Sequence, residues 1–384
     1  MIVIRKLSEC TLDQAVQVWN AGFSGYLVDM TTNPDAFMTR QAYEQLLPQH
    51  SVVAFDGEQP VGFVLNGIRM AGGVKISWNG GTGVIPAYRG RGVGRKLIEA
   101  SLDIYRKEGV DTATIEAFAS NVPAIALYES VGYVTRDTLL VLRKAGGAAG
   151  GGPAEGTGES RGALGDALHP AAGETGGLPD AAAVRAGGPA NASGGLAATS
   201  RQADASQEGR GGHAALSAAA AEAGYADGGQ SAGGTKAAAR HNDAAGRYTL
   251  RHGTARDAGL LPFYPALGAW QVHWASLTAG ESLIMFEAGK PAGYALYKRV
   301  YEASGKLAGV TLYQCEASPD NREPETVLRT LLETVLNGYG EVSFSASHVP
   351  SSRTDLLRLL EEKGFQTVHE LVWMTRDMTE DGQT

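Results

Sequence analysis

A glycine-rich turn with three arginines separates a strand from a helix in the first third of the sequence. It follows an apolar stretch that ends near Val84, and Gly92 opens a helix with one apolar face. Free N–H groups at a helix start form an anion site, which the helix dipole strengthens. Glycines let the backbone approach a diphosphate, and arginines add positive charge. The residues that we expect to bind a phosphorylated cofactor here are Arg89, Gly90, Arg91, Gly92, Val93, Gly94 and Arg95.

Two other interpretations of this turn stay open at this point, a tight strand–helix connection without a ligand and a dinucleotide fold. The dinucleotide fingerprint is Gly-x-Gly-x-x-Gly in an early βαβ unit. Here several antiparallel-like strands come first, and the pattern from Arg89 to Gly94 is Arg-x-x-Gly-x-Gly. With Pro86-x-Tyr88-Arg-Gly ahead of it, this pattern resembles the acyl-CoA-binding motif of the GNAT acetyltransferase superfamily. The resemblance implies acetyl-CoA as co-substrate.

A second motif lies where that superfamily has one. Glu116 ends a strand, and Asn121, Ala124 and Tyr128 follow on the next helix. This arrangement is similar to that of ribosomal-protein N-terminal acetyltransferases and their relatives. The resemblance extends from Met1 to about Lys144, is sharpest from Val84 to Tyr133, and implies that Asn121 and Ala124 contact the cofactor. Asn121 is also consistent with a simple helix cap.

Acetyl transfer from a thioester to an amine needs a proton acceptor for the amine and a proton donor for the departing thiolate. Glu116 is the candidate base, because a buried carboxylate is costly unless it has a task or a partner. Tyr128 is the candidate acid, since a phenol with a pKa of about 10 stays protonated at pH 7. The alternatives are a structural glutamate and a core tyrosine. Many members of the superfamily carry a catalytic Glu on the strand before the turn, and this sequence has none there.

The resemblance also implies roles for the strand before the turn and for the acceptor site. The distorted end of that strand would expose the backbone of Val84 and Ile85 to the pantetheine arm and thioester. The acceptor site would be lined by the loop between the first two helices and by the mouth of the strand pair. Its candidate residues are Tyr26, Asp29, Trp78 and Asn79. Loop packing and a solvated charge are equally consistent with them.

Composition excludes several classes of function. The formal net charge of −8 and the pI near 5.6 provide no global positive field for nucleic acid or anionic lipid. Cys10 and Cys315 lie far apart and outside metal-ligand spacing, so we expect no metal. No apolar run is long enough for a signal peptide or a membrane span. The sequence therefore predicts a cytoplasmic protein that binds neither nucleic acid nor membrane.

The chain is expected to contain two domains and a linker. Residues 146–246 are rich in glycine and alanine and bury too little apolar surface to offset the entropy of ordering, which predicts a disordered linker. Residues 1–145 alternate strand and helix signals, which predicts an α/β fold with a mixed sheet flanked by helices and, through the resemblance, a catalytic GNAT domain. Residues 247–378 repeat the order of elements, which predicts a duplicated fold.

The second copy lacks the features of the site. Its corresponding helix start has no glycine and carries Asp320, Glu323 and Glu325, which would repel a diphosphate. Leu360 stands where the first copy has Tyr128. We therefore expect a degenerate, non-catalytic domain that packs against the first domain or shapes its acceptor cleft.

The sequence thus favours an N-acetyltransferase that moves an acetyl group from acetyl-CoA to a primary amine. The acceptor would be a small molecule, a protein N-terminus or a lysine. Two alternatives belong to other classes: a regulatory module that binds acyl-CoA without turnover, and an adaptor that recruits a protein through its second domain.

Overall fold

Two runs of strands and helices with the same order make up the described part of the chain. The computed structural model describes residues 1–144, 247–340 and 342–379, so the linker predicted at 146–246 lies outside the described residues. In the first half the elements are β1 (Ile2–Lys6), α1 (Leu12–Gly22), α2 (Pro34–Glu44), β2 (Val52–Asp56), β3 (Gln59–Ala71), β4 (Val74–Val84), α3 (Val93–Lys107), β5 (Thr112–Phe118), α4 (Val122–Glu129) and β6 (Val134–Lys144).

The second half repeats this series with one short helix in place of the first two. Its elements are β7 (Tyr248–Thr254), α5 (Ala255–Gly259), β8 (Glu281–Glu287), β9 (Lys290–Tyr301), β10 (Leu307–Ala317), α6 (Pro324–Leu336), β11 (Ser343–Pro350), α7 (Thr354–Glu362) and β12 (Gln366–Asp377). The predicted mixed sheet with flanking helices, and its repetition, are confirmed. The domain boundaries drawn from composition stay predictions.

Local signals explain where several of these elements begin. Thr11 and Gln14 form a capping box at the start of α1, in which the Gln14 N–H donates to Thr11 Oγ1 at 3.2 Å and the Thr11 N–H donates to Gln14 Oε1 at 3.0 Å. Gly92 precedes α3 in the left-handed region, with φ of 75°. The apolar face predicted for α3 is buried against the sheet through Val93, Leu97, Ile98 and Leu102.

One sheet of twelve strands joins the two halves, and the last strand of each half is exchanged. The strand order is β1-β2-β3-β4-β5-β12-β6-β11-β10-β9-β8-β7. Strand β12 therefore lies between β5 and β6, and β6 lies between β12 and β11. As a result, the backbone of β5 is bonded on one side by a strand from the other half, with Trp373 opposite Glu116.

The sheet opens between β4 and β5. These parallel strands pair only from Ile76–Asn79 with Thr112–Ile115 and separate beyond those residues. Next to this point β4 has a bulge at Gly80, since Asn79 pairs with Asn66 whereas Gly81 pairs with Leu65. The Asn79 amide supports the bulge by donating to Thr82 Oγ1 at 2.8 Å and accepting from the Gly81 N–H at 3.1 Å. The resulting gap is where a ligand can enter the sheet.

Because of the strand exchange, side chains of β12 belong to the core of the first half. Met374 is fully buried in the cluster that also holds Leu97 and Ile115. Val368, on the same strand, is 42% exposed.

We expect Met374→Ala to lower the free energy of unfolding of the first half by about 2–5 kcal/mol, since it leaves a cavity among first-half residues. The matched Val368→Ala should change it by less than about 0.5 kcal/mol, because that side chain is exposed. Urea unfolding followed by tryptophan fluorescence measures both. A Met374→Ala protein whose first half unfolds as in the wild type would contradict the observed exchange.

Candidate active site

A cleft lies in the gap between β4 and β5, with a cavity volume of about 180 Å³. Its walls come mainly from the first half, and Gln271, His348 and Leu371 of the second half complete them. The sequence-predicted site residues that line it are Tyr26, Trp78, Asn79, Val84, Gly94, Glu116, Asn121, Ala124 and Tyr128. The structure therefore brings together the candidate base, the candidate acid and part of the predicted cofactor and acceptor sites.

Both oxygens of the Glu116 carboxylate accept hydrogen bonds. The Trp78 indole N–H donates to Oε2, and the Trp270 backbone N–H donates to Oε1 at 3.3 Å. Burial raises the pKa of Glu116 to about 7, and these two hydrogen bonds and the Arg69 charge oppose that rise. A carboxyl group with a pKa near neutrality is well matched to general-base chemistry at physiological pH.

Trp270 comes from the second half and is fully buried against first-half residues. Its ring stacks on Trp78 with centroids 5.7 Å apart and planes 10° apart, and the Arg69 guanidinium lies 3.7 Å from its centroid. Its indole N–H donates to the Glu44 carbonyl at 2.9 Å. Sequence reasoning missed this residue, because it lies in a short non-periodic stretch and no local signal links it to Glu116.

Tyr128 lies on α4 with its side chain buried at the cleft. Burial raises the pKa of Tyr128 to about 12, partly offset by a hydrogen bond with Thr82. The phenol is therefore protonated throughout the physiological range, as a proton donor must be.

Asn121 occupies the N-cap position of α4, yet its side chain makes no capping hydrogen bond. Instead it is hydrogen-bonded with Tyr26, a contact that lowers the Tyr26 pKa against a larger rise caused by burial. The simple-cap interpretation of Asn121 is therefore wrong, and its amide faces the cleft. This contact also links the loop after α1 to the start of α4.

The glycine-rich turn presents the start of α3 to open space. Gly90 and Gly92 have φ of 70° and 75°, and no neighbouring atom lies within 4 Å of a Cβ built at either residue. The Lys96 N–H donates to the Gly92 carbonyl, so the N–H groups before Lys96 precede the first helical bond. The first turn of α3 contains no acidic residue. This surface fits the diphosphate of a coenzyme A thioester.

The three arginines of the turn differ in their contacts. Arg89 donates to the carbonyl oxygens of Val84, Gly22 and Ser24 at 2.9, 3.0 and 3.1 Å, which ties the end of α1 to the end of β4. Arg95 is paired with Glu99 at 2.8 Å, and the Arg91 guanidinium lies 5.3 Å from the Tyr88 ring centroid. Arg89 thus has a positioning contact that the sequence did not reveal, and phosphate binding by these arginines stays a prediction.

The other predicted site residues lie outside the cleft lining. Val93 is buried in the core, so only its backbone groups are available to a ligand, and the partly buried Ile85 packs against the core. Asp29 is exposed and accepts a hydrogen bond from the Thr31 N–H at 3.0 Å. The roles assigned to these three residues stay predictions.

The second half has the corresponding opening, but an ion pair fills it. Strands β10 and β11 pair in parallel from Gly309–Leu312 with Ser343–Ala346 and then separate. Arg353, at the N-cap of α7, forms a salt bridge with Glu316 of β10 and donates to the Cys315 carbonyl at 3.3 Å. Asparagine occupies the equivalent position of the first half. This ion pair is consistent with a second half that does not bind the cofactor, which stays a prediction.

No cluster of three or more His, Cys, Asp or Glu side chains within the described ranges could hold a metal ion. Within the same ranges, no helix is both long and apolar enough to cross a membrane.

The sequence model of the acetyltransferase (GNAT) family matches residues 17–133. Over this segment, the chain is similar to the GNAT family. The segment contains the glycine-rich turn, Glu116 and Tyr128. The resemblance to this family that the two motifs predicted is confirmed over residues 17–133.

Similar proteins share short segments with this chain. The ribosomal protein bS18-alanine N-acetyltransferase of Escherichia coli (strain K12) is 50% identical over 50 residues, which are 13% of this chain and 34% of that protein. The mycothiol acetyltransferase of Corynebacterium glutamicum (strain R) is 36% identical over 62 residues, 16% of this chain and 21% of that protein. The matched segment thus spans about a third or less of either relative.

One solved structure resembles both halves. The GCN5-related N-acetyltransferase from Sphaerobacter thermophilus has a TM-score of 0.51 and 14% identity, and the alignment covers 98% of this chain and 96% of that one. This likeness shows the fold. The prediction of a second GNAT-like half is confirmed.

The open turn leads to a binding prediction. We expect one acetyl-CoA to bind per chain, and Arg91→Glu to weaken binding about tenfold or more, because it puts a carboxylate beside the diphosphate site. Isothermal titration calorimetry measures affinity and stoichiometry.

Lys107→Glu, at the other end of α3, is the matched control with the same change in charge. Two equivalent molecules bound per chain would contradict the filled second opening. Equal weakening by both variants would mean that net charge, not the turn, governs binding.

Proposed function

We propose that this GNAT-family chain is an N-acetyltransferase that transfers the acetyl group of acetyl-CoA to a primary amine in the cleft between β4 and β5. The observation that carries the proposal is the convergence of Glu116 and Tyr128 on one cleft next to an unobstructed helix start. A module that only binds acyl-CoA would need neither a tuned carboxyl group nor a buried phenol.

Glu116 acts as the base. An ammonium with a pKa of about 8–10 must lose a proton before its nitrogen can attack the thioester carbonyl. A carboxylate with a pKa of about 7 accepts that proton, directly or through a water molecule, far more readily than an ordinary glutamate. Because Trp78 and Trp270 hold both oxygens, the carboxylate keeps a fixed orientation.

Tyr128 acts as the acid. As the new C–N bond forms and the C–S bond breaks, the coenzyme A sulfur leaves as a thiolate, which the Tyr128 hydroxyl protonates. The high pKa of Tyr128 makes this hydroxyl a weak acid, so a hydrogen bond to the developing thiolate contributes before the proton moves. Backbone groups of Val84, at the edge of the cleft, support the thioester oxygen.

The acceptor is a primary amine. The E. coli relative is named for the alanine of a ribosomal protein, and the C. glutamicum relative for mycothiol, so peptide and small-molecule amines both belong in a screen. Tyr26, Trp78 and Asn79 line the cleft, and Asp29 lies on the loop that leads to it. A peptide beginning with alanine, free lysine and glucosamine sample these classes.

We expect Glu116→Gln to lower kcat/KM for the best acceptor by about 10²–10³, because the glutamine amide cannot accept the ammonium proton. The loss should shrink at pH 9, where solvent deprotonates the amine without help. Release of free coenzyme A thiol measures the rate, and calorimetry should give an unchanged acetyl-CoA affinity. A variant as active as the wild type at pH 7 would remove Glu116 from the mechanism, and no turnover by the wild type with any amine would favour a binding module.

The pH profile tests the environment of Glu116 separately. In the wild type, kcat/KM should rise as the pH passes about 7, where the carboxyl loses its proton. Trp78→Phe removes a hydrogen bond that stabilises the carboxylate, so the pKa rises and the midpoint moves to higher pH.

Trp373→Phe is the matched control, because Trp373 is opposite Glu116 in the sheet and its indole N–H has no hydrogen-bond partner among the described residues. The same midpoint in the wild type and in both variants would show that another group controls the profile.

A further inference from the structure

His348 has a backbone conformation that is costly for its residue type. Its φ is 55°, in the left-handed region, which costs a non-glycine residue about 1–2 kcal/mol. The strain coincides with a bulge in β11, because Ala346 pairs with Leu142 and Val349 pairs with Leu140. Two residues of β11 thus stand opposite the single Val141.

The repeated fold does not require this bulge. Ala346 is opposite Leu312 at the point where β10 and β11 separate, as Ile115 is opposite Asn79 in the first half. His348 is therefore the counterpart of Ala117. Ala117 lies in regular register with Val372 of β12. The bulge is specific to the second half, and its consequence is the position of one side chain.

The His348 imidazole is 2% exposed and reaches the cleft that holds Glu116 and Tyr128. Its Nδ1 lies 2.7 Å from Ser347 Oγ, and no hydrogen-bond partner reaches Nε2 among the described residues. An unpaired buried polar atom costs about 1–3 kcal/mol. Burial lowers the pKa of His348 to about 4, so the ring is neutral at physiological pH. A strained, buried and unpaired nitrogen at a ligand cleft indicates a partner supplied by the ligand.

We propose that His348 is an acceptor-specificity residue, whose Nε2 hydrogen-bonds an uncharged polar group of the amine acceptor in the first-half cleft. This inference rests on the proposed function. The lining that the cleft shares with His348 includes the apolar Phe118 and Leu371, and Gln271 adds an amide. The acceptor class is therefore an amine that carries an apolar portion and a hydroxyl or amide group, as the first residues of a peptide do. The second half, whose own opening is filled, contributes recognition to the site of the first.

The test uses the full chain and two substitutions to residues that readily adopt the left-handed backbone conformation of His348. Glycine and asparagine both adopt a left-handed φ, so His348→Gly and His348→Asn relieve the strain. We expect His348→Gly to raise KM for an alanine-starting peptide about tenfold, with the KM for acetyl-CoA unchanged and the melting temperature close to the wild type. His348→Asn, which keeps a hydrogen-bonding group, should recover part of the loss. His273→Gln is the control, because His273 is also a buried second-half histidine but lies outside the cleft lining.

A second measurement does not depend on turnover. The protein has eight histidines, so the ¹⁵N resonance of His348 Nε2 can be assigned by its loss in His348→Asn. In the presence of coenzyme A, the alanine-starting peptide should shift this resonance, and free lysine should shift it less. Absence of any shift with the peptide, or an unchanged KM in His348→Gly, overturns the inference. Failure of the proposed function is distinct, since it is a wild type that acetylates none of the amines tested.

Discussion

The pairing of β5 with β12 is the constraint on which the rest of the site depends. A ligand can enter the sheet only where β5 gives up its hydrogen bonds to β4, which happens beyond Ile115. The strand would then carry free N–H and C=O groups on both edges if nothing paired on the other side. Strand β12 supplies that pairing from Thr112 to Phe118. The first half can therefore hold an open cleft because the second half donates its last strand.

In each half two parallel strands separate, but the space between them is open in the first half and occupied in the second. The difference comes from one side chain at the start of the helix that follows. At the N-cap of α4, Asn121 leaves the space between the strands open and bonds Tyr26. At the N-cap of α7, Arg353 crosses the equivalent space to Glu316, and Asp355 also binds its guanidinium at 3.1 Å. A partly buried ion pair is hard to displace, because removing one partner leaves the other charge desolvated. The second half thus keeps the fold and carries an ion pair at its opening.

Most of the elements could be predicted from the sequence because their signals are local. The capping box at Thr11, the left-handed Gly92 and the apolar face of α3 each depend on a few neighbouring residues. The strand exchange could not be predicted, since the side-chain alternation around Met374 is the same whichever half it packs against. The site follows the same division. Residue types predicted Glu116 and Tyr128, whereas Trp270 contacts Glu116, and His348 lines the cleft, only because the fold brings together residues that are distant in sequence.

The pKa of Glu116 is consequently a property of both halves together. Burial favours the neutral carboxyl, and three features favour the carboxylate: the indole of Trp78, the backbone N–H of Trp270 and the charge of Arg69. Arg69 also donates to the Trp270 carbonyl at 3.0 Å and to Ser276 Oγ at 2.7 Å, so its position depends on the second half as well. Any loosening between the halves would remove a donor and let water in, and these two changes act on the pKa in opposite directions. To keep the pKa of Glu116 near 7, the two halves must therefore hold a fixed position relative to each other. The shared sheet and the stacked Trp78 and Trp270 rings hold them there. The repeated fold with its exchanged strands thus buries Glu116 between donors from both halves.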